Sequence, residues 1–148
     1  MPRFETAEWY AAAVGRAFDL FRRPAERVRL APPELHLQLV EGPEVLHLGA
    51  RVVVRGRRWG VTQRMETEAT AFEPDALIAE EQRRGPFGRW SHVQRFTAEG
   101  AGVRVADVIE YEPPGGVLGR LATAEAIAGE LTRIFAYRRG RLTERLAE

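Results

Sequence analysis

The sequence predicts an α+β fold: a curved antiparallel seven-stranded sheet wrapped around a long C-terminal helix, with two short helices after the first strand. Three observations predict it. Residues 34–112 alternate apolar and polar positions in segments punctuated by Gly, Pro and Asp, the pattern of consecutive hairpins. Residues 117–146 carry apolar side chains at helical spacing over a length of roughly 40 Å, at ~1.5 Å per residue. Between the first strand and the hairpins lie two short amphipathic stretches separated by Pro24. At 148 residues, 45% hydrophobic and 29% charged, the chain has the size of one ordinary domain, 1–148, with its own core.

Residues 3–10 alternate as a strand, and residues 11–21 place Val14, Ala17, Phe18 and Phe21 on one helical stripe. Pro24 restarts the chain into a second short helix over 24–30, which Ala31-Pro32-Pro33 stops because proline disfavours helical geometry in the residue before it. Six further strands follow, with breaks at Glu41-Gly42-Pro43, Gly56-Arg57-Arg58, Glu73-Pro74-Asp75, residues 84–88 and Glu99-Gly100-Ala101-Gly102. Pro113-Pro114-Gly115-Gly116 closes the sheet. In the final helix, Val117, Leu121, Ala124, Ala128, Leu131 and Phe135 share a stripe, with Ile127 and Ile134 beside it and Gly129 and Gly140 weakening it locally. Ala124 and Ala128 in mid-stripe fit either a cavity between helix and sheet or close helix-sheet packing.

Composition excludes several functions. The net charge of +1 provides no strong field for nucleic acid or an anionic membrane, and all 22 basic residues are arginine. Without cysteine there are no disulfides, thiolate nucleophiles or Cys-ligated metals. His36, His47 and His92 have no zinc spacing, so no metal is expected. There is no phosphate-loop lysine and no Rossmann pattern, so no nucleotide or other cofactor is expected either. Ser91, the only serine, lacks a nucleophile-elbow setting. No apolar run approaches a membrane span, and the charged stretch after Met1 is no signal-peptide core, which makes a cytoplasmic location the expectation. Arg55, Arg57 and Arg58 at a hairpin tip and Arg138, Arg139 and Arg141 near the C-terminus read as solvated surface, with contact to RNA, anionic lipid or an acidic partner as the alternative.

The run from Gly85 to Phe96 carries the functional signal. Trp90, His92, Gln94 and Phe96 share one strand face, mixing rings with an imidazole and an amide. Matching apolar faces between strands extends that face. Across the loop at Gly100, Phe96 pairs with Val105, Gln94 with Asp107, His92 with Ile109 and Trp90 with Tyr111. Asp107 is then diagonal to His92 at roughly 7 Å between Cβ atoms, within reach directly or through one water. With Pro74-Asp75 as a tight turn, Phe72 pairs with Leu77 on a charged exterior that continues through Glu68 and Glu81, while Ala69 and Thr67 face Glu80 and Gln82 inside. With Arg57-Arg58 as a turn, Val54 meets Val61, Val52 meets Gln63 and Ala50 meets Met65. The interior therefore holds Gln63, Thr67, Glu80, Gln82, His92, Gln94 and Asp107, too much polarity for a dry core. Each such group left unpaired costs about 1–3 kcal/mol, so they pair with each other, with water or with a ligand.

At these residues the chain resembles the START/SRPBCC superfamily of helix-grip ligand-binding proteins, which includes polyketide cyclase/dehydrase-like members. The resemblance rests on Phe18-Asp19-Leu20-Phe21 with Pro24, Leu30-Ala31-Pro32, Gly85-Pro86-Phe87 with Trp90, His92 and Phe96, then Asp107, Tyr111, Pro113, Gly115, Phe135, Tyr137 and Arg138. Gln94 stands where the resemblance leads one to expect the second histidine of a His-x-His pair. It implies a cavity for a hydrophobic or amphipathic small molecule, such as a lipid, isoprenoid or polyketide-like compound.

Two functions are then expected of the same residues. In a binding protein, Val54, Met65, Trp90, Phe96, Tyr111 and Leu121 form apolar wall, with Ala124 and Ala128 on the helix, while Gln63, Thr67, Glu80, Gln82, His92, Gln94 and Asp107 fix a polar end. In the alternative, a cofactor-independent cyclase or dehydratase, His92 shuttles a proton, Asp107 or Glu80 orients it, and Tyr111 donates to a developing enolate. Phe87, between two glycines, is the expected gate, or packs on a second subunit in a homodimer.

Overall fold

The computed structural model describes residues 1–148. Strand β1 (Arg3–Tyr10) leads into helices α1 (Val14–Phe21) and α2 (Pro24–Arg29). A short 3-10 turn precedes β2 (Gln38–Glu41), β3 (Arg51–Arg58), β4 (Val61–Glu73), β5 (Leu77–Arg84), β6 (Arg89–Glu99) and β7 (Gly102–Glu112), and the chain ends in α3 (Leu118–Leu121) and α4 (Ala124–Leu146). The seven strands form one antiparallel sheet in the order β1-β7-β6-β5-β4-β3-β2, curved around α4 in a helix-grip arrangement. Because β1 and β2 are opposite edges, α1 and α2 must carry the chain across the sheet. α1 packs on β6 and β7 as it does so, and α2 reaches β2.

Two apolar cores result. The first gathers Phe18 and Phe21 of α1, Phe96 of β6, Val103 and Val105 of β7, and Leu142 and Leu146 from the end of α4. Phe18 is its hub, with ring centroids 5.5 Å from Phe72 and 5.1 Å from Phe96. The second gathers Phe87, Ile109, Tyr111, Ala122, Ile127 and Leu131 around the start of α4. Burial of these side chains is the main force holding helix to sheet.

The β6–β7 register is the one that matched faces predict, with Phe96 opposite Val105, Gln94 opposite Asp107, His92 opposite Ile109 and Trp90 opposite Tyr111. Elsewhere the turns differ. The β3–β4 turn falls at Trp59-Gly60, with φ of +53° and +79°, instead of at Arg57-Arg58. Val54 therefore meets Met65 and Val52 meets Thr67. The offset is an even number of residues, so every side chain keeps its expected face. Gly60→Ala, placed at positive φ in open space, is expected to cost about 1 kcal/mol by denaturant unfolding.

The β4–β5 turn takes in Ala76 and puts Phe72 opposite Ile78 and Ala71 opposite Ala79. A bulge at Thr70 then restores Ala69 to Glu80 and Thr67 to Gln82. That extra residue turns Phe72 inward against Phe18, and not onto the charged exterior expected of a bulge-free hairpin.

The C-terminal helix is broken rather than continuous. Thr123 caps α4, its Oγ1 accepting a hydrogen bond from Ala126 N at 3.2 Å, which starts a new helix after α3. Helical phase is reset there. The inward stripe of α4 is Ile127, Leu131, Arg138, Leu142 and Leu146, whereas Val117 and Leu121 of the preceding segment are 77% and 62% exposed. Ala128 is exposed as well.

Candidate functional site

Between the two cores lies a cavity of ≈ 260 Å³, with Phe21 of the first core on one side and Ile109 and Leu131 of the second on the other. Most of its wall is apolar, drawn from α1, α2, β3 and α4. A second lobe of ≈ 220 Å³ shares Arg27, Val52, Val54, Arg58, Trp90 and His92 with it and reaches Gln63, Met65, Thr67 and Glu80. α2 contributes because Pro24 at its first turn fixes where the helix begins, directing Arg27 and Val28 to the hollow.

Behind His92, Asp107 is buried without solvent contact and receives four hydrogen bonds. Arg138 donates Nη2 to Oδ1 at 2.5 Å and Nη1 to Oδ2 at 3.0 Å, a bidentate pair. Gln94 Nε2 donates to Oδ2 at 2.9 Å, and His92 Nε2 lies 2.7 Å from the same oxygen. Burial pushes the Asp107 carboxyl up, but the Arg138 charge and the His92 and Arg138 hydrogen bonds outweigh it and hold it well below the usual carboxylate range. The Arg138 guanidinium also lies over the rings of Phe135 and Phe21, at 4.3 and 5.1 Å.

A second pair stands opposite. Glu80, paired across the strands with His92, is gripped by both Nη atoms of Arg27 and accepts from Thr67 Oγ1 at 3.2 Å. Burial raises the Glu80 carboxyl, and the Arg27 charge and hydrogen bonds bring the net direction down. His92 thus sits between two carboxylates, each neutralised by its own arginine. Arg58 closes a third pair with Glu130 on α4 while stacking 4.8 Å over Trp59 and 5.4 Å from Phe87. Arg58 and Arg138 are therefore structural and inward, not members of a solvated basic patch.

Of the residues expected at the site, Val54, Gln63, Met65, Thr67, Glu80, Trp90, His92 and Gln94 line the hollow. The others stand elsewhere. Asp107 lies one layer behind His92. Phe96 is spent in the first core. Tyr111 donates its hydroxyl to the Ala124 carbonyl at 3.2 Å and packs on Trp90 and Phe87, so no enolate can reach it. Gln82 holds the β5–β6 loop by bonding both the carbonyl and the amide of Phe87, at 2.8 and 3.3 Å. Leu121, Ala124 and Ala128 miss the hollow because the helix break rotates their faces away. Phe87 is no exposed gate. It is 4% exposed, wedged among Trp59, Trp90 and Tyr111.

The residues that sequence reasoning missed are mainly Arg27, Arg138, Phe21, Leu131 and Phe135. For Arg138 a signal exists: it follows Phe135, Leu131 and Ile127 at helical spacing, so the stripe itself points it inward.

Comparison with protein-family profiles finds none that matches the chain, and comparison with curated proteins finds none either. Solved structures do match. The protein CV1439 from Chromobacterium violaceum superposes with a TM-score of 0.77 at 14% identity, covering 100% of this chain and 99% of that one. TTHA0849 from Thermus thermophilus gives 0.71 at 19% identity, covering 99% and 97%. Ara h 8.0201 gives 0.66 at 14% identity, covering 96% and 97%. At such identities the likeness is one of architecture, and over its full length this chain has the helix-grip fold.

Proposed function

We propose that the protein binds a hydrophobic or amphipathic small molecule in the hollow between sheet and α4, carrying or sequestering it as a ligand-binding member of the START/SRPBCC superfamily. The observation that supports this most directly is a largely apolar main lobe, bounded by two separate cores, with Gln63, Thr67 and Glu80 at the second lobe beside it. The ion pairs there keep the walls apart at fixed positions, since each arginine is held by a carboxylate on another element. Native mass spectrometry of freshly purified protein is expected to show a retained compound of a few hundred daltons that denaturing conditions release. A bare chain that also fails to take up an apolar fluorescent dye would overturn the reading. The same spectrum gives the oligomeric state, and thereby tests the homodimer.

One arrangement favours a second reading, an acid/base enzyme of the cyclase or dehydratase kind. A carboxylate orients one imidazole nitrogen while the other is left for substrate, as a general base requires. Glu80 is committed to Arg27 and Tyr111 to a backbone carbonyl, so His92 alone would move the proton. Turnover of a polyketide-like substrate that His92→Ala abolishes, with binding retained, would establish this; turnover unaffected by that change would remove it.

A further inference from the structure

The most selective group at the hollow is His92, and its tautomer is fixed from behind. Asp107 is ionised and can only accept, so Nε2, 2.7 Å away, must carry the proton that lies between them. Neutral His92 then bears its lone pair on Nδ1. That atom bonds to no protein group and is not among the sealed unpartnered atoms, which are Tyr10 Oη and Arg138 Nε. The ring lines both lobes of the cavity. Nδ1 is thus an open acceptor where a largely apolar lobe meets a more polar one.

The charges around it decide what it accepts. Arg27 is matched by Glu80, Arg138 by Asp107 and Arg58 by Glu130, leaving no free cation to hold an anion. Among buried arginine donors only Nε of Arg138 lacks a partner, and it is closed to the hollow. A carboxylate brought here would stand beside Glu80 with each of these arginines already matched, at high desolvation cost. A neutral hydroxyl meets no such penalty and supplies the proton that Nδ1 lacks.

Resting on the binding function proposed above, we infer that the ligand class is a neutral hydroxylated amphipath, a phenol or alcohol that donates its O–H to Nδ1 of His92 while its hydrocarbon body fills the apolar lobe. Specificity then comes from an unmade bond: an analogue without the O–H leaves Nδ1 dry and unpaired.

The test compares 2-naphthol, its methyl ether 2-methoxynaphthalene, and 2-naphthoate by isothermal titration calorimetry on the intact chain at neutral pH. Expected is binding of 2-naphthol roughly tenfold or more tighter than the ether, with the naphthoate weakest. His92→Phe should bring naphthol and ether to the same affinity. His92→Gln, whose amide can donate to Asp107 and still accept from the ligand, should keep the preference. Equal binding of naphthol and ether by the unaltered protein, or tightest binding of the naphthoate, overturns the hydroxyl assignment and leaves the cavity reading standing. Failure of all three to bind, in a protein that also emerges bare from native mass spectrometry, overturns both.

Discussion

Asp107→Asn is expected to destabilise the fold by about 3–5 kcal/mol, the typical result of removing one partner from a buried ion pair. The change keeps the shape of the side chain and an oxygen for His92 and Gln94. What it removes is the charge facing Arg138, whose side chain is 9% exposed and has no other carboxylate partner. If that uncompensated guanidinium is the cause, Arg138→Met in the same chain should restore most of the loss, since a thioether can occupy the space between Phe135 and Phe21 without charge. A loss that the second substitution leaves unchanged would place the energy in the hydrogen bonds instead. Denaturant unfolding of the two single variants and the double one separates these outcomes.

The same residue fixes a pH dependence. Its carboxyl titrates below the value of about 3.9 expected in an unfolded chain, so the folded state binds fewer protons there than the unfolded state. The stability it confers is complete above that unfolded value and falls away as the pH drops toward the folded one. Glu80 shifts in the same direction and adds to the effect. The thermal midpoint should therefore decline below about pH 4 in the unaltered protein, and less steeply in the Asp107→Asn variant. An identical acid limb in both would mean that Asp107 is not the group being protonated.

Val54→Trp is expected to reduce binding of an apolar ligand on the order of a hundredfold or more, because area that the ligand would bury at about 25 cal/mol per Å² is taken by the indole. Val54 lines both lobes and is half-buried, so its side chain already points into the hollow. Stability is the informative second measurement. If the hollow is open in solution, the larger ring enters free space at little cost. If the helices collapse onto it, overpacking costs about 1–3 kcal/mol. Loss of binding without loss of stability is the expected pair of results, and unchanged binding would place the ligand elsewhere.

The parts of this architecture written plainly in the sequence are those set by alternation. β6 and β7 are long, regular and joined by a tight loop, so matching their apolar faces fixes Gln94 against Asp107 and brings His92 within reach of the same carboxylate. Features that depend on one residue out of phase were not legible. Trp59 adopts a left-handed conformation uncommon for a bulky aromatic, which hid the β3–β4 turn. The bulge at Thr70 leaves no composition signal, yet it decides whether Phe72 faces core or solvent. Thr123 does mark a helix start, but an unbroken run of good helix formers around it reads as continuous. The buried arginines were hardest. A cation inside an apolar stripe makes sense only once its carboxylate is known, and Asp107 is 31 residues from Arg138 in the chain.

The placement of the three tryptophans makes the molecule its own optical gauge. Trp9 is 45% exposed and ties its indole N–H to the Glu99 carbonyl at one edge of the sheet, and Trp59 is held at a hairpin tip beside Arg58. Trp90 alone borders both lobes, with its ring centroid 4.6 Å from that of Phe87. A guest in the hollow would change the polarity around one indole and leave two untouched, so intrinsic emission divides into one responsive and two reference signals without any label.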